Sequence, residues 1–277
     1  MERISSFKNN RPIFYLVASP IGNLDDFSSR AVKILQEVTY IACEDTRVTG
    51  KLLQVFHIEK PLISCHEHNE EEASEKIIHL LQNGESVAYL SDAGYPLVSD
   101  PGARVVKKVI AHGFPVSTIG GSSAFLNALT ASGLPTDHFY FYGFLPSKTK
   151  EREEVLKTLV NFPDTIIFYE APHRIEATMQ SLAKVFLDRR FVIGRELTKI
   201  HEEMIRGTLD EIDQLDFSLL RGEMVLLIEG AGTHPKDEPI EHLLPTLQEL
   251  VSLGLPLKKA CEITSNLTGV KKNELYQ

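Results

Sequence analysis

Val87-Ala88-Tyr89-Leu90-Ser91-Asp92-Ala93-Gly94-Tyr95-Pro96-Leu97-Val98-Ser99-Asp100-Pro101-Gly102 runs an apolar strand into a turn dense in Gly, Pro and Asp. Glycine there permits positive φ and close backbone approach, and proline stiffens the turn. Asp92 and Asp100 set two carboxylates beside that backbone. The same arrangement occurs earlier, where Ile13 to Ala18 leads into Ser19-Pro20-Ile21-Gly22-Asn23-Leu24. In an open α/β sheet, ligands bind where strands end and loops begin. Both turns are therefore expected on the ligand-binding rim.

Working outward, strand and helix signals alternate through the first half. Helices are expected over Ser28–Val38, Thr46–Phe56, Asn69–Leu81 and Gly102–Ala111, and from Gly120 to about Gly133. Asn69 is expected to cap its helix, with Glu72 completing a capping box. Strands fall at Tyr40–Cys43, Pro61–Ser64, Val87–Leu90 and Pro115–Ile119. Such alternation predicts a largely parallel sheet covered by helices.

Leu134-Pro135-Thr136-Asp137 reads as a boundary. Beyond it strands dominate: Phe139–Phe144, Thr165–Tyr169, Phe191–Gly194, Glu202–Arg206 and Met224–Ile228, with a helix over Lys150–Val160. A mixed sheet follows from this. Gly230–Pro239 reads as a linker. Ile240–Leu253 and Leu257–Leu267 are amphipathic helices, Thr268-Gly269-Val270 is a turn, and Lys271–Gln277 is expected to begin a third helix. The outline fits a helix-turn-helix, or a plain helical appendage. The expected units are thus 11–136, an α/β domain; 137–232, a mixed α/β domain; and 240–277, a helical extension.

The 277 residues carry a net charge of −9, which argues against a general nucleic-acid coat. Local basic clusters remain at Lys148, Lys150, Arg152 and Lys157, and at Lys258, Lys259, Lys271 and Lys272. No apolar run has the length of a membrane span, and Met1–Pro12 lacks a signal-peptide core. The three cysteines, Cys43, Cys65 and Cys261, form no C-x-x-C pair and fit reduced thiols in a cytoplasmic protein.

Common signatures are missing. No G-x-G-x-x-G follows a strand, and Thr49-Gly50-Lys51-Leu52 lacks the features of a P-loop. Cys65-His66-Glu67-His68 places two imidazoles on one side of an extended segment, but a metal site needs further ligands that the sequence does not mark. No metal is expected, and a polar loop entering a helix cap is the simpler reading. Charged groups gather at the strand ends: Glu44, Asp45 and Arg47; Asp92 and Asp100; Glu170, His173 and Arg174; Arg195, Glu196 and Lys199. Each cluster could be a surface ion pair, and Asp45 or Thr46 could be a simple helix cap. Together they favour a polar cleft. Pro172 suits the first turn of a helix. Gly120-Gly121-Ser122-Ser123-Ala124 opens a helix whose free amides could hold a ligand, or whose serines could cap it.

These residues carry a specific resemblance. Ser19–Leu24, Glu44–Gly50, Ser64–Glu70, Ser91–Gly102, Ser132–Asp137, Gly143–Pro146, Tyr169–Arg174 and Arg195–Lys199 occur in the order and spacing of a known family. The chain resembles the tetrapyrrole-methylase-fold family of S-adenosylmethionine-dependent methyltransferases. Within it, the chain is similar to the branch that methylates small-subunit ribosomal RNA, and the tail from Leu253 resembles that branch's helix-turn-helix-like extension.

The resemblance implies two α/β domains with S-adenosylmethionine between them. It implies a homodimer that acts on the ribose 2′-hydroxyl of a cytidine in the decoding region of 16S rRNA, within the assembled small subunit. Donor contacts are implied for Pro20, Gly22, Asp92, Ala93, Gly94, Tyr95, Gly121, Ser122, Ser123 and Ala124. Glu170, Ala171, Pro172, Arg195, Glu196 and Leu197 would close on the donor from the second domain. Arg47, His66, His68, Arg174 and Lys199 would face RNA.

The family usually has Pro-Gly-Pro-Ser-Ala where Gly120–Ala124 stands, and a small Thr where Tyr95 stands; Ser19 replaces a usual Thr. Methyl transfer from a sulfonium needs mainly alignment, and a ribose hydroxyl benefits from a nearby base. Asp100, Glu44, Asp45, Glu170 and Asp92 are the candidate bases, and the sequence selects none of them. A precorrin-type tetrapyrrole methyltransferase and a non-catalytic ribosomal RNA-binding factor are the alternative readings.

Overall fold

A computed structural model describes Ser5, Phe7 and residues 11–232, 240–268 and 270–276. Five strands, β1 (Phe14–Val17), β2 (Tyr40–Cys43), β3 (Leu62–Ser64), β4 (Val87–Leu90) and β5 (Val116–Ile119), form an all-parallel sheet in the order β3-β2-β4-β1-β5. β1 and β4 are buried at every position, as expected of continuous apolar strands covered on both faces. α1 (Ser29–Glu37) and α2 (Thr46–Val55) cover one face, burying Ala31, Ile34, Leu35 and Leu53. α3 (Glu70–Gln82) and α4 (Ala103–Ala111) cover the other with Ile77, Leu81, Val105 and Val109. Ser28 caps α1 by accepting from Ala31 N at 3.1 Å, and Asp45 caps α2 by accepting from Arg47 N at 2.8 Å.

The second sheet is mixed. Its strands are β6 (Phe139–Phe144), β7 (Thr165–Glu170), β8 (Arg190–Arg195), β9 (Glu203–Thr208) and β10 (Met224–Ile228), in the order β6-β7-β10-β8-β9. β6 and β7 are parallel; the other pairs are antiparallel. α6 (Thr149–Leu159) and α7 (Ile175–Phe186) pack on one face through Leu156, Leu159, Ile175, Met179 and Leu182. The other face is covered by α5 (Ala124–Ser132), whose Ala128 and Leu129 meet Ile167, Val192, Val225 and Leu227. α5 precedes the Leu134–Asp137 segment, yet it packs on the second sheet. Arg206 of β9 secures it by donating to the carbonyls of Ala131 and Ser132 at its last turn.

α8 (Ile240–Ser252) and α9 (Leu257–Thr268) share a small core of Leu243, Leu247, Ala260, Cys261, Val270 and Leu275. Among the described residues no helix is long and apolar enough to cross a membrane, and the three cysteines are unbridged.

Several local expectations need correction. Asn69 stands at the cap position of α3 but makes no capping bond. Its Oδ1 accepts from His66 N at 2.7 Å and its Nδ2 donates to Ser64 O at 3.0 Å, so the side chain closes the β3–α3 loop instead. Pro172 lies in a turn ahead of α7, which starts at Ile175. Ser123 precedes α5 without a side-chain cap, and Ser122 Oγ accepts from Asn127 Nδ2 at 3.2 Å. Residues 272–276 form turns and not a third helix. Residues 233–239 of the expected linker, Gly269 of the expected turn, and Gln277 lie outside the described residues.

Candidate active site

The carboxyl ends of β1, β4 and β5 meet the second sheet at a cleft. A short bridge joins the loops after β1 and β4: Ser19 N donates to Gly94 O at 2.9 Å, Gly94 N to Ser19 O at 3.1 Å, and Ser19 Oγ to Ser91 O at 2.6 Å. The β4 loop is contorted. Gly94, Leu97, Ser99 and Gly102 all have positive φ, two of them without the freedom of glycine. Its far end is fixed by the buried Glu70 carboxylate, which accepts from Gly102 N, and by Tyr89, whose hydroxyl is 3.2 Å from both Cys65 O and Pro101 O. A second contorted turn faces it, with Glu196 and Thr198 also at positive φ. Backbone strain held by surrounding bonds on both sides of one cleft is a mark of a functional site.

The cleft encloses about 290 Å³. Ile21 and residues 93–95 and 98–100 line it from the first sheet's loops, with Ser123 and Ala124 at the start of α5. The second sheet contributes Phe144, Tyr169–Pro172, Gly194, Leu197 and Glu223–Val225. The walls are mostly apolar. Among the described residues, the charged ones in the lining are Asp100, Glu170 and Glu223, and no lysine, arginine or histidine joins them. Tyr95 forms part of the wall, and its hydroxyl accepts from Gly121 N at 3.2 Å.

The candidate carboxylates differ sharply in environment. Asp100 is pushed above the usual carboxylate range by burial, which its hydrogen bond from Ser91 Oγ at 2.9 Å partly offsets, and the neighbouring Asp92 adds to the rise. Glu44 is also raised, first by burial and then by nearby carboxylates. Asp92 is raised by burial, partly offset by a hydrogen bond from Asp45 N, with the Asp45 carboxylate adding to the rise. Asp45 is lowered by its bonds to Arg47, and both groups sit at the surface. Glu170 is fully enclosed: Oε1 accepts from Ala171 N at 2.9 Å, Oε2 accepts from Thr178 Oγ1 at 2.6 Å, and Arg174 Nε is 3.2 Å away. Of the five, Asp100 combines a place in the cleft wall with a single hydrogen-bond donor among the described residues. Tyr169, also in the wall, has its phenol pushed up to about 12 by burial.

The structure brings together Ala93, Gly94, Tyr95, Asp100, Ser123, Ala124, Glu170, Ala171, Pro172 and Leu197 in one cleft. Pro20, Gly22 and Asp92 line a separate groove beside α2, where Gly22 leaves room for the Lys199 side chain. Gly121, Ser122, Arg195 and Glu196 stand behind the lining. Gly121 is turned to Tyr95, Arg195 pairs with Glu203 at 3.0 Å, and Glu196 accepts from Glu223 N at 3.0 Å.

The cations expected to face RNA have partners within the chain. Arg47 pairs with Asp45 at 2.7 Å, and Lys199 with Glu196 and Glu223 at 2.9 Å each. Arg174 faces Glu170 and donates to Leu145 O and Pro146 O at 2.6 and 3.2 Å. His66 and His68 have rings 6.0 Å apart, and His66 Nδ1 is buried without a hydrogen-bond partner among the described residues. Among the described residues no three His, Cys, Asp or Glu side chains gather as metal ligands.

Ile21, Val98 and Ser99 lie in the two turns expected on the rim, and Phe144 and Tyr169 in segments that carry the resemblance, but no contact role is expected for them from the sequence, nor for Gly194 and Glu223–Val225. Glu223–Val225 enter at the amino end of an antiparallel strand, which a rule based on the carboxyl ends of strands passes over. Phe144 and Tyr169 lie within strands already recognised, so their burial looked sufficient to explain them.

Comparison with known proteins agrees with this fold. Residues 14–213 match the family model of Tetrapyrrole (Corrin/Porphyrin) Methylases, and residues 237–277 match that of the RsmI C-terminal HTH domain. The chain is 45% identical over 267 residues to the Ribosomal RNA small subunit methyltransferase I of Pseudomonas aeruginosa, covering 95% of each protein. It is 43% identical over 276 residues to the protein of the same name in Bacillus subtilis, covering 97% of this chain and 94% of the relative. Among solved structures, the cobalt precorrin-4 methyltransferase CbiF superimposes with a TM-score of 0.59 at 15% identity, covering 79% of this chain and 95% of that one. A uroporphyrin-III C-methyltransferase of Thermus thermophilus, complexed with S-adenosyl homocysteine, gives 0.54 at 17% identity, covering 79% and 97%. These two likenesses concern the fold. By family match and near full-length similarity, the chain belongs to the tetrapyrrole methylases, in the group named ribosomal RNA small subunit methyltransferase I.

Proposed function

We propose that this protein methylates small-subunit ribosomal RNA with S-adenosylmethionine as donor, and that the acceptor is the ribose 2′-hydroxyl of a cytidine in the decoding region of 16S rRNA. The observation that carries the reading is the cleft: apolar walls, with every charged group in its lining acidic. A sulfonium donor is cationic beside a largely apolar nucleoside, and such a lining suits it. The ordered motifs from Ser19 to Lys199 support the ribose assignment.

Bound S-adenosylmethionine supplies an electrophilic methyl carbon. The protein's part is alignment and proton removal. Ala93, Gly94 and Tyr95 hold one side, Ser123 and Ala124 offer the start of α5, and Ala171, Pro172 and Leu197 close from the second sheet. Asp100 accepts the ribose proton while the oxygen bonds to carbon; its burial raises its basicity. Glu170 acts through position: by fixing Ala171 and Arg174 it shapes the turn that meets the donor. Gly121 serves through Tyr95, and Pro20, Gly22 and Asp92 through the bridged loops behind the cleft. His66 and His68, with Arg47, Arg174 and Lys199 at the rim, meet RNA with partly neutralised charge.

We take the working form as a cytoplasmic homodimer acting on the assembled small subunit. Its units are 11–136, 137–232 and the helical extension 240–277. A tetrapyrrole substrate is disfavoured because porphyrinoid carboxylates would meet Asp100 and Glu223 and no cation in the lining.

The test is transfer of labelled methyl from donor to small subunits that lack the modification, followed by nucleoside mass spectrometry. Label on the ribose of one cytidine is expected. Label on a base rejects the ribose assignment, and no label in rRNA with transfer to a porphyrinoid rejects the RNA reading.

A further inference from the structure

β6 reads Phe139-Tyr140-Phe141-Tyr142-Gly143-Phe144, and strict alternation would put Phe144 on the same face as Tyr142. Tyr142 belongs to the α6/α7 core, with its ring 5.8 Å from Phe168. The strand does not alternate to its end. Phe141 pairs with Ile167, Gly143 with Phe168 and Phe144 with Tyr169, so a β-bulge inserts one residue between Phe141 and Gly143. Phe144 is thereby moved to the opposite face, against Tyr169 at 5.6 Å and into the cleft wall. Bulges beside active sites serve to re-aim a side chain in this way.

The re-aimed ring stays open to solvent. Phe144 is 53% exposed, while Leu145 beside it is 2% exposed and anchored in the α6/α7 core. The local backbone requires glycine: Gly143 has φ +85°, and Ser99 Oγ lies 3.2 Å from where a Cβ would sit. The following segment is clamped twice. Arg174 donates to Leu145 O and Pro146 O, and the buried Arg152 donates to Ser147 O at 3.2 Å. A rigid backbone thus presents an exposed aromatic face at a cleft with no basic group in its lining.

We propose that Phe144 is the stacking platform for the base of the nucleotide whose ribose is methylated. This rests on the function proposed above. The lining offers no cation to a phosphate, so the target nucleotide is seated there through its uncharged parts. Base–aromatic stacking is the interaction an exposed, fixed phenyl ring supplies. Phe144 is a substrate-positioning residue; Asp100 remains the proton acceptor.

Phe144→Ala, Phe144→Leu and Phe144→Tyr, made in the full chain, test this with steady-state kinetics on unmodified small subunits and calorimetry with S-adenosylmethionine. Thermal unfolding checks that each variant folds. Phe144→Ala should lower kcat/KM for subunits about five- to a hundredfold, the range of one lost base stack, with donor affinity within about twofold of the parent. Phe144→Tyr should restore activity to within about threefold, and Phe144→Leu should not. Unchanged kcat/KM in Phe144→Ala overturns the proposal, as does full restoration by Leu, or a loss of donor affinity that matches the loss of kcat/KM. A parent protein that places no methyl on rRNA ribose overturns the proposed function and this inference together. An active parent with an unaffected Phe144→Ala removes this inference alone.

Discussion

Replacing Glu170 by alanine would remove the carboxylate that joins β7, the cleft turn and α7. Its side chain is wholly buried and meets Ala171 N, Thr178 Oγ1 and Arg174 Nε. The Arg174 contact is ionic at 3.2 Å without hydrogen-bond alignment, and the Arg174 side chain is 21% exposed. Breaking a buried ion pair by deleting one partner costs about 3–5 kcal/mol, and partial exposure of Arg174 places this case near 3 kcal/mol. The stranded Thr178 hydroxyl, fully buried, adds about 1 kcal/mol. The expected loss is about 3–4 kcal/mol, which at about 2–4 °C per kcal/mol lowers Tm by roughly 6–16 °C. Thr178→Val alone should cost about 1 kcal/mol, and the double variant should lose less than the two added together, because both remove the same bond. Ala171 and Pro172 line the cleft, so donor affinity should fall with stability in Glu170→Ala and hardly change in Thr178→Val. Denaturant unfolding and donor calorimetry on the same samples give both numbers. A loss under about 1 kcal/mol for Glu170→Ala refutes the argument that this carboxylate organises the turn.

Three further outcomes follow from the same geometry. Burial raises Asp100 in the fold, so its ionised form is disfavoured there: its contribution to stability is present below the unfolded carboxyl range and is lost as pH rises through the raised value. Asp100→Asn should therefore leave Tm at pH 7 equal or higher while cutting methyl transfer by about a hundredfold or more, and should abolish the acid limb of the pH–rate profile; a parent-like rate excludes Asp100 as the base. Tyr95→Phe deletes the acceptor of Gly121 N–H and should cost about 0.5–1.5 kcal/mol in urea unfolding; no change would mean water replaces the bond without loss. In filter binding, random unstructured RNA should bind weakly and lose affinity steeply with salt, given a net charge of −9; tight, salt-insensitive binding contradicts the account.

Much of the frame was legible because its physics is local. Val87–Leu90 followed by Ser91–Gly102 announces a buried parallel strand and a ligand-side turn through residue types alone, and Ser28 and Asp45 cap their helices as their side chains suggest. What escaped depends on which of several partners the folded backbone brings into reach. Asn69 looks like a cap until His66 N and Ser64 O are near enough to compete for it. α5 follows the last strand of the first sheet, and nothing in Ala124–Ser132 states that its apolar side belongs to Ile167 and Val225. Arg47, Arg174 and Lys199 stand only two to four residues from Asp45, Glu170 and Glu196, so sequence alone left open both an ion pair and a face toward RNA, and the folded side chains form the pairs. Leu97, Ser99, Glu196 and Thr198 give no sign of positive φ, since their side chains do not favour it. Phe144 was hidden most completely, because one bulge inverts the face that alternation assigns to it.

The charge pattern also orders the reaction. Of the carboxylates in the cleft lining, Glu170 and Glu223 are paired with Arg174 and Lys199 from outside it, and Asp100 has no cation beside it among the described residues, so the lining offers a polyanion no attraction. A bound sulfonium supplies a positive charge from inside. At an effective dielectric near 20, one charge 10 Å from an RNA phosphate contributes about 1.7 kcal/mol before screening, roughly a tenfold effect on affinity. Methyl transfer converts the sulfonium to a neutral thioether, so that charge disappears with the chemistry and the lining again offers the RNA no attraction. On the proposed function, this charge pattern would favour donor binding before the nucleotide enters and weaken the grip on modified RNA once transfer is complete. On that reading, surface contacts would supply the affinity for the subunit, and the cleft would decide when one nucleotide is held.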